Sequence, residues 1–335
     1  MDGRPEMTDV EKILKRMSSE LSEPIESYIE DELPDNLIEA ARQYPYAGGK
    51  RMRPAMVIAA CRAVGGDGEK AVPLAVAIEY IHNFTLIHDD LMDGDERRRG
   101  MVTSHIKYGM PTAVLAGDAL FAKAFQIIAG LDTDGETIRD VLSVVSQSVW
   151  DLARGQQMDI NNENGGEVTM EEYIETIRLK TSVLFAAGAA GGAMVGGASK
   201  EVVDAIHGYA MNLGVAFQMY DDILGIVGDP AVTGKSSGND IRKGKRTVIV
   251  CHALKNIADR ADLLIFQDIL GKADATDAEI DEVRSILRRA CSLDYAVVTA
   301  EEYIRRAVEC LEILEPSEDK DFMIALAEYT MTRNL

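Results

Sequence analysis

The sequence predicts an almost wholly helical protein, an all-α bundle, and three observations predict it. Ala, Leu, Ile, Met and Glu outweigh the strand formers, with aromatics at 6% and only 9 prolines in 335 residues. Apolar residues recur at helical spacing through most of the chain, interrupted by short Gly, Asp and Pro clusters instead of long linkers. No heptad is sustained and no short period repeats, which removes a coiled coil and a solenoid. In order, the spacing places helices over 8–31, 35–45, 52–64, 70–93, 111–130, 136–159, 170–195, 200–227, 245–258, 261–271, 276–291, 294–313 and 319–333. Gly65-Gly66-Asp67-Gly68 separates the third from the fourth, and Asp93-Gly94-Asp95 ends the fourth. Asn164-Gly165-Gly166 and Gly228-Asp229-Pro230 break the chain further on. Thr169 and Glu172 have the spacing of a capping box that opens the seventh helix. The Ala- and Gly-rich tract from Ala186 to Ala198 is too short for a bilayer and marks close helix packing. No composition shift divides the chain, so a single domain over 1–335 is the expectation.

The formal charge of -21, from 35 Lys and Arg against 56 Asp and Glu, repels duplex nucleic acid and anionic bilayers on average. Against that background Lys50-Arg51-Met52-Arg53, Arg97-Arg98-Arg99 and Lys243-Gly244-Lys245-Arg246 stand out, and a small polyanion is their fitting ligand. The 4 cysteines lie far apart without metal or disulfide spacing, which suits a reducing cytoplasm. No secretory h-region and no membrane-spanning segment is read from the chain.

Two apolar helices end in paired aspartates: Phe84-Thr85-Leu86-Ile87-His88-Asp89-Asp90 and Phe217-Gln218-Met219-Tyr220-Asp221-Asp222. On a helix Asp89 and Asp93 fall about 40° apart on one face, with His82 two turns earlier on the same face. Carboxylates that close repel unless a cation lies between them. Hard oxygen donors suit Mg²⁺, which keeps waters and shares a substrate phosphate. A single Asp-Asp pair is usually a solvated helix end. Two such pairs, each after an apolar run and each before a basic or glycine-rich loop, argue for metal and diphosphate together.

Cationic donors complete that pattern. Gly48-Gly49-Lys50-Arg51-Met52-Arg53-Pro54 places Lys50 and Arg53 beside glycines whose amides can approach an anion. Arg98-Arg99-Gly100 follows the first aspartates, and Gly234-Lys235 and Gly244-Lys245 follow the second. Lys180-Thr181 and Gln218 offer a cation, a hydroxyl and an amide, each also ordinary on a helix surface. No Ser-His-Asp pattern, Walker loop or G-x-G-x-x-G after a strand is present, so nucleophilic catalysis has no candidate.

The ordered set resembles the trans-isoprenyl diphosphate synthases of the polyprenyl synthetase family, over about residues 40 to 250. The matching blocks run from Gly49-Lys50-Arg51-Met52-Arg53-Pro54 through His82, Asp89-Asp90-Leu91-Met92-Asp93 and Arg98-Arg99-Gly100 to Gly155-Gln156-Gln157-Met158-Asp159. Lys180-Thr181, Phe217-Gln218-Met219-Tyr220-Asp221-Asp222, Gly234-Lys235 and Gly244-Lys245 continue them in order. The resemblance implies helices around a deep cavity, usually in a homodimer, with the two aspartate motifs facing each other across its mouth. By it, Asp89, Asp90, Asp93, Asp221 and Asp222 bind two or three Mg²⁺ that bridge an allylic diphosphate. Arg98, Lys180, Thr181, Gln218, Lys235 and Lys245 contact that diphosphate, and Lys50, Arg53, His82 and Arg99 hold isopentenyl diphosphate. The implied chemistry is ionisation of the allylic C–O bond, attack by the isopentenyl double bond and loss of a proton to the departed diphosphate.

The chain departs from the family at one place. The second motif usually reads Asp-Asp-x-x-Asp, but here it is Asp221-Asp222-Ile223-Leu224-Gly225. Asp229 is a candidate to compensate, although Asp229-Pro230 has the look of a turn. Phe84, five residues before the first motif, holds the position that floors the cavity in this family. By analogy with archaeal-type short-chain members it implies geranylgeranyl diphosphate as product, with farnesyl or longer chains as alternatives. On the helical wheel Phe84 lies about 140° from Asp89 and meets the cavity wall obliquely. A terpene cyclase shares the ionisation step but needs no second diphosphate site, and its usual metal triad would require something other than Gly225. A non-catalytic regulatory partner subunit is the remaining alternative, and such proteins typically lose an aspartate motif or its arginines.

Overall fold

The computed structural model describes residues 7–163, 168–227 and 238–332. Helices dominate them, and the strands are two residues each. The described residues fall into two compact units drawn from interleaved segments: Met1–Val149 with Leu184–His207 and Leu311–Ala325, and Trp150–Val183 with Gly208–Cys310 and Leu326–Leu335. Several boundaries fall inside helices, so no linker or composition change could have marked them in the sequence.

In the first unit, α1 (Met7–Glu20) and α2 (Ser22–Ser27) replace the single helix expected over 8–31. The expected helix over 35–45 stops as α3 at Asp35–Arg42, and a 3-10 turn at Pro45–Ala47 follows, because Pro45 has no amide to continue the ladder. α4 (Met52–Ala63) and α5 (Gly68–Asp93) form the centre. Tyr80, Leu74, Ile78 and Ile81 of α5 are fully buried, and the Tyr80 hydroxyl donates to the Ile25 carbonyl. Asp67 caps the N-terminus of α5, and Gly94, at φ 66°, closes its C-terminus by donating to the Asp90 carbonyl. α6 (Ser104–Tyr108) and α7 (Met110–Ala129) come next, and α7 packs on α3, α5 and α6. By length and composition α7 is apolar enough to cross a membrane, a feature the sequence reading passed over. α8 (Gly135–Glu163) starts in this unit.

The small-residue tract does mark a close approach. It forms most of α10 (Val183–Val195), where a Cβ on Gly192 would lie 2.1 Å from the Val57 carbonyl oxygen of α4. Beyond its end, a Cβ on Gly196 would lie 2.7 Å from the Cys61 carbonyl oxygen. Glycine there lets two helix backbones touch.

In the second unit Thr169 and Glu172 form both halves of the expected capping box on α9 (Met170–Ile177). The helix expected over 170–195 is not uniform: residues Arg178–Ser182 make a π-helical turn before α10. α11 (Lys200–Val227) gives this unit its C-terminal part from Gly208. Tyr173, Met219, Ile223, Ile241, Phe266 and Ile280 share one buried core. Two short helices in the described residues, α6 and Asn239–Arg242, escaped the periodicity because neither is long enough to show a face. The helix expected over 245–258 begins at Val248, with Thr247 as its cap.

Candidate active site

The first aspartate motif closes α5. Asp89 is half-buried, Asp93 is exposed, and Asp90 turns inward to 1% exposure. Asp90 is held there by Arg98, whose Nε donates to its Oδ1 at 2.6 Å and whose Nη2 pairs with the same oxygen at 2.5 Å. The hydroxyl of buried Tyr44 donates to the other oxygen. Burial, then the hydrogen bond to Asp90, pushes the Tyr44 phenol above its ordinary range, so it remains a donor.

A two-stranded hairpin, Arg97–Arg98 against Met101–Val102, positions both arginines. Its central residues Arg99 and Gly100 have φ of 50° and 79°, the positive pair that a tight I′ turn needs. Arg98 folds back onto Asp90, while Arg99 reaches away and donates to the Gly48 carbonyl at 2.8 Å. A Cβ on Gly49 would lie 3.0 Å from Arg99 Nη1, so the glycine loop is the bed on which that guanidinium lies. In the same loop Lys50 is exposed, whereas buried Arg51 turns inward to the Ser18 carbonyl at 2.6 Å and the Ser22 hydroxyl at 3.0 Å. Arg53 lies 4.1 Å over the Phe185 ring and 3.4 Å from His82 Nε2. Burial, followed by the charges of Arg53, Arg99 and Arg98, holds the His82 imidazole well below its usual value. His82 is thus a neutral ring among guanidinium groups, and Lys50, Arg53, His82 and Arg99 come together around one glycine loop and one turn of α5.

Phe84 sits on another side of α5, edge-on to His88 at 5.6 Å and to Phe121 of α7 at 5.5 Å. Phe121 in turn meets Phe125 at 5.0 Å. Gly117 makes room for His88, since a Cβ there would lie 2.2 Å from its Nε2.

In the second unit the π turn carries Lys180 and Thr181. A Cβ on Gly155 of α8 would lie 2.4 Å from the Lys180 amide nitrogen, and one on Gly214 of α11 would lie 2.5 Å from Ser182 Cα. Two glycines therefore let the widened turn press between helices, a place where such bulges often serve a site. Lys180 Nζ donates to Asp159 Oδ2 at 2.5 Å. Thr181 donates to Gln218 Oε1 at 3.0 Å, and Gln218 Nε2 donates to Asp222 Oδ1 at 3.1 Å. Tyr173 donates its hydroxyl to the second oxygen of Asp222. Asp221 is exposed, whereas Asp222 is buried. Burial first, then the charge of Asp240, pushes Asp222 up to about 7. Lys245 lies 3.9 Å from Asp240 and donates its amide to the Asp240 carbonyl at 2.9 Å. Lys235 and Asp229 lie outside the described residues.

The residues fit Mg²⁺ by the chemistry of the donor set, which is carboxylate oxygen with one buried member short of compensating positive charge. Among the described residues no three His, Cys, Asp or Glu side chains cluster tightly enough to cage an ion unaided. That also suits a cation that keeps its waters and shares a substrate phosphate.

A family model, polyprenyl synthetase, matches residues 34–287. The chain belongs to the polyprenyl synthetase family. It is 39% identical over 327 residues to a geranylgeranyl diphosphate synthase of Methanosarcina mazei, covering 98% of each. It is also 39% identical over 319 residues to a geranylfarnesyl diphosphate synthase of Aeropyrum pernix, covering 92% of this chain and 99% of that one. The crystal structure of a geranylgeranyl pyrophosphate synthetase from Pyrococcus horikoshii superposes with a TM-score of 0.92 at 40% identity, over 97% of this chain and 99% of that one. Membership bears out the all-α fold and the resemblance read from the ordered motifs. Tyr44, Tyr173, Asp159 and Asp240 are the polar partners that motif reading did not single out; only Asp159 lay inside a matched block, and the two tyrosines carry no spacing that distinguishes them from core aromatics.

Proposed function

We propose that this polyprenyl synthetase condenses isopentenyl diphosphate with allylic diphosphates, making geranylgeranyl diphosphate, and that the chain works as one catalytic domain. The observation that carries the reading is the gathering of Lys50, Arg53, His82 and Arg99 about the Gly48-Gly49 loop. It offers a second anion its own cationic bed, apart from the aspartates, and a cyclase working on one diphosphate has no use for it. Isopentenyl diphosphate is the occupant: Arg53 and Arg99 offer forked donors, Lys50 a mobile charge, and neutral His82 a hydrogen bond without competing charge. Asp89, Asp90 and Asp93 with Asp221 and Asp222 carry the Mg²⁺ and the allylic diphosphate, with Asp90 and Asp222 orienting their neighbours from buried positions. When bound, Mg²⁺ would supply positive charge to offset that growing on the departing diphosphate. Lys180, Thr181, Gln218, Lys235 and Lys245 add donors to the leaving group, and Arg98 steadies Asp90. No side chain is asked to act as general base, since the departed diphosphate takes the proton.

Phe84, walled by His88 and Phe121, is the floor that stops growth at twenty carbons. The exposed apolar residues Met110, Val114 and Phe121, within about 40° of one another on α7, support a homodimer, because such a stripe calls for a covering partner. Free Cys61, Cys251, Cys291 and Cys310 accord with a cytoplasmic setting.

The test is to incubate the protein with Mg²⁺, labelled isopentenyl diphosphate and five-, ten- or fifteen-carbon allylic diphosphates, and to size the products. Twenty-carbon chains that vanish with EDTA are expected. Folded protein that joins no substrates in Mg²⁺ overturns the condensation. A product of another length overturns the assignment of Phe84 alone.

A further inference from the structure

Two arginines stand two residues apart in the glycine loop and part company. Arg53 lies over the Phe185 ring and beside His82. Arg51 is 7% exposed and turns to three other elements. Its Nη1 donates to the Ser18 carbonyl of α1 at 2.6 Å and to the Ser22 hydroxyl of α2 at 3.0 Å, and its Nη2 donates to the Pro45 carbonyl at 3.3 Å. Ser18 closes the circuit, since its own hydroxyl donates to the Gly49 carbonyl at 2.8 Å. Lys50 therefore stands between two pinned neighbours, Gly49 and Arg51.

The backbone needs that hold. Arg51 has φ 45° and ψ 42°, a left-handed conformation that costs any residue with a side chain, and it is the N-cap of α4, where the chain is ordinarily extended. Gly48 and Gly49, at φ 77° and 150°, bend without that cost. At Arg51 the anchored side chain is what over-determines the turn. The anchor is well matched to its seat. The last turn of α1 has no basic residue of its own, and its orphan carbonyls at the negative end of the helix suit a guanidinium brought from elsewhere. Burial lowers the Arg51 pKa, while the charges of Glu79, itself buried on α5, and of Glu26 oppose that shift.

We propose that Arg51 and Ser18 are positioning residues for isopentenyl diphosphate: Arg51 pegged into the end of α1, and Ser18 bonded to Gly49, hold the loop in the turn that presents Lys50 and Arg53 to the anion. This rests on the reading of Lys50, Arg53, His82 and Arg99 as the bed of that substrate. Neither Arg51 nor Ser18 is itself a ligand. The end of α1, a helix without any motif, becomes part of the site, and its effect falls on one of the two substrates.

Isopentenyl diphosphate binding in EDTA is followed by isothermal titration calorimetry for the wild type, Arg51→Lys, Ser18→Ala and Ser18→Thr, and KM for both substrates is measured in Mg²⁺. Arg51→Lys is expected to weaken binding about tenfold, because lysine keeps the charge but lacks the planar fork that spans three acceptors. Ser18→Ala is expected to weaken it about fivefold, the worth of one hydrogen bond, and Ser18→Thr, which keeps the hydroxyl, to stay within about twofold of the wild type. In all three variants kcat and the allylic KM are expected within about twofold of the wild type, a split that general loss of structure does not produce. Wild-type affinity in both Arg51→Lys and Ser18→Ala overturns the proposal, as does an allylic KM that rises as far as that for isopentenyl diphosphate. A loss in only one of the two removes the other residue from the role. Where Arg51→Lys fails to fold, Ser18→Ala against Ser18→Thr decides, and equal losses in that pair overturn the part of the hydroxyl. Wild type that binds isopentenyl diphosphate without turnover overturns the condensation and leaves the calorimetry to decide the clamp. Wild type that does not bind it overturns the bed and the clamp together.

Discussion

The two aspartate motifs are built alike and compensated differently. In each the first aspartate is more exposed than the second, which is buried under a tyrosine hydroxyl, Asp90 under Tyr44 and Asp222 under Tyr173. Asp90 also has a guanidinium, Arg98 at 2.5 Å, so its negative charge is neutralised within the protein. Asp222 has the Gln218 amide and, farther off, the charge of Lys245, but burial and a second acid, Asp240, outweigh them and push it up to about 7. Asp93 fills the third place in the first motif, while in the second a Cβ on Gly225 would lie 2.2 Å from Asp240 Oδ2. Asp90 is thus ion-paired with a guanidinium, whereas Asp222 is raised by burial and a neighbouring acid. Structural repetition and electrostatic equivalence are separate properties.

The largest effect expected is on turnover. Asp89→Asn, which strips a half-buried carboxylate from the motif with the arginine-paired Asp90, should lower kcat about 10³-fold, and Asp221→Asn about 10²-fold, near the span seen when one preorganised stabiliser of transition-state charge is lost. Equal losses at the two positions would erase the distinction between the motifs. The next effect is on stability. Tyr173→Phe removes one of two hydrogen-bond donors from Asp222 and should cost about 2 kcal/mol in urea unfolding with EDTA. Tyr44→Phe leaves Asp90 its arginine and should cost about 1 kcal/mol. A Tyr44→Phe loss larger than that of Tyr173→Phe would mean that Arg98 contributes little to holding Asp90.

Much of this was legible before any coordinates, and the reason is local. Helical periodicity, the Thr169 capping box and the Gly192 approach depend on near neighbours or on residue size, which sequence displays directly. The aspartates and arginines were visible because their spacing carries the chemistry. What the sequence hid was partnership at long range. Nothing in Tyr44 or Tyr173 marks a hydroxyl that closes on an acid 46 or 49 residues away. Gly225 read as a loss because a missing side chain says nothing of what fills its space, here the Asp240 carboxylate. The π turn at Lys180 was equally silent, since its cause is the pair of glycines, Gly155 and Gly214, pressed on it from elsewhere in the chain.

Product length tests the first region alone. Phe84→Ala should lengthen the product by at least one five-carbon unit. Gly117→Ala should act in the same direction more weakly, because its Cβ displaces His88 and loosens the ring packed against Phe84, while a flexible side-chain tip gives way at little cost in stability. An unchanged product from Phe84→Ala removes that residue from the role. A longer product from Gly117→Ala together with a stability loss beyond about 2 kcal/mol would point to general loosening of the packing between α5 and α7.

The smallest effect concerns the basic edge of the first motif, where the imbalance has the opposite sign to that at Asp222. His82 is held well below its ordinary value by burial and then by Arg53, Arg99 and Arg98. The native state keeps the ring neutral while the unfolded chain takes up a proton at about 6.5. The unfolded state therefore binds more protons below that pH, and His82 makes the protein lose stability as pH falls from about 7 toward 5 and adds nothing to the slope above it. His82→Gln, unfolded in urea across that range without substrate, should show a shallower acid-side decline than the wild type. A bound diphosphate should do the same to the wild type, since an anion among Lys50, Arg53 and Arg99 offsets the charges that exclude the proton. Identical slopes for wild type and His82→Gln would mean that the ring is not held neutral by its guanidinium neighbours, and His82 would then lose its part in the isopentenyl diphosphate bed.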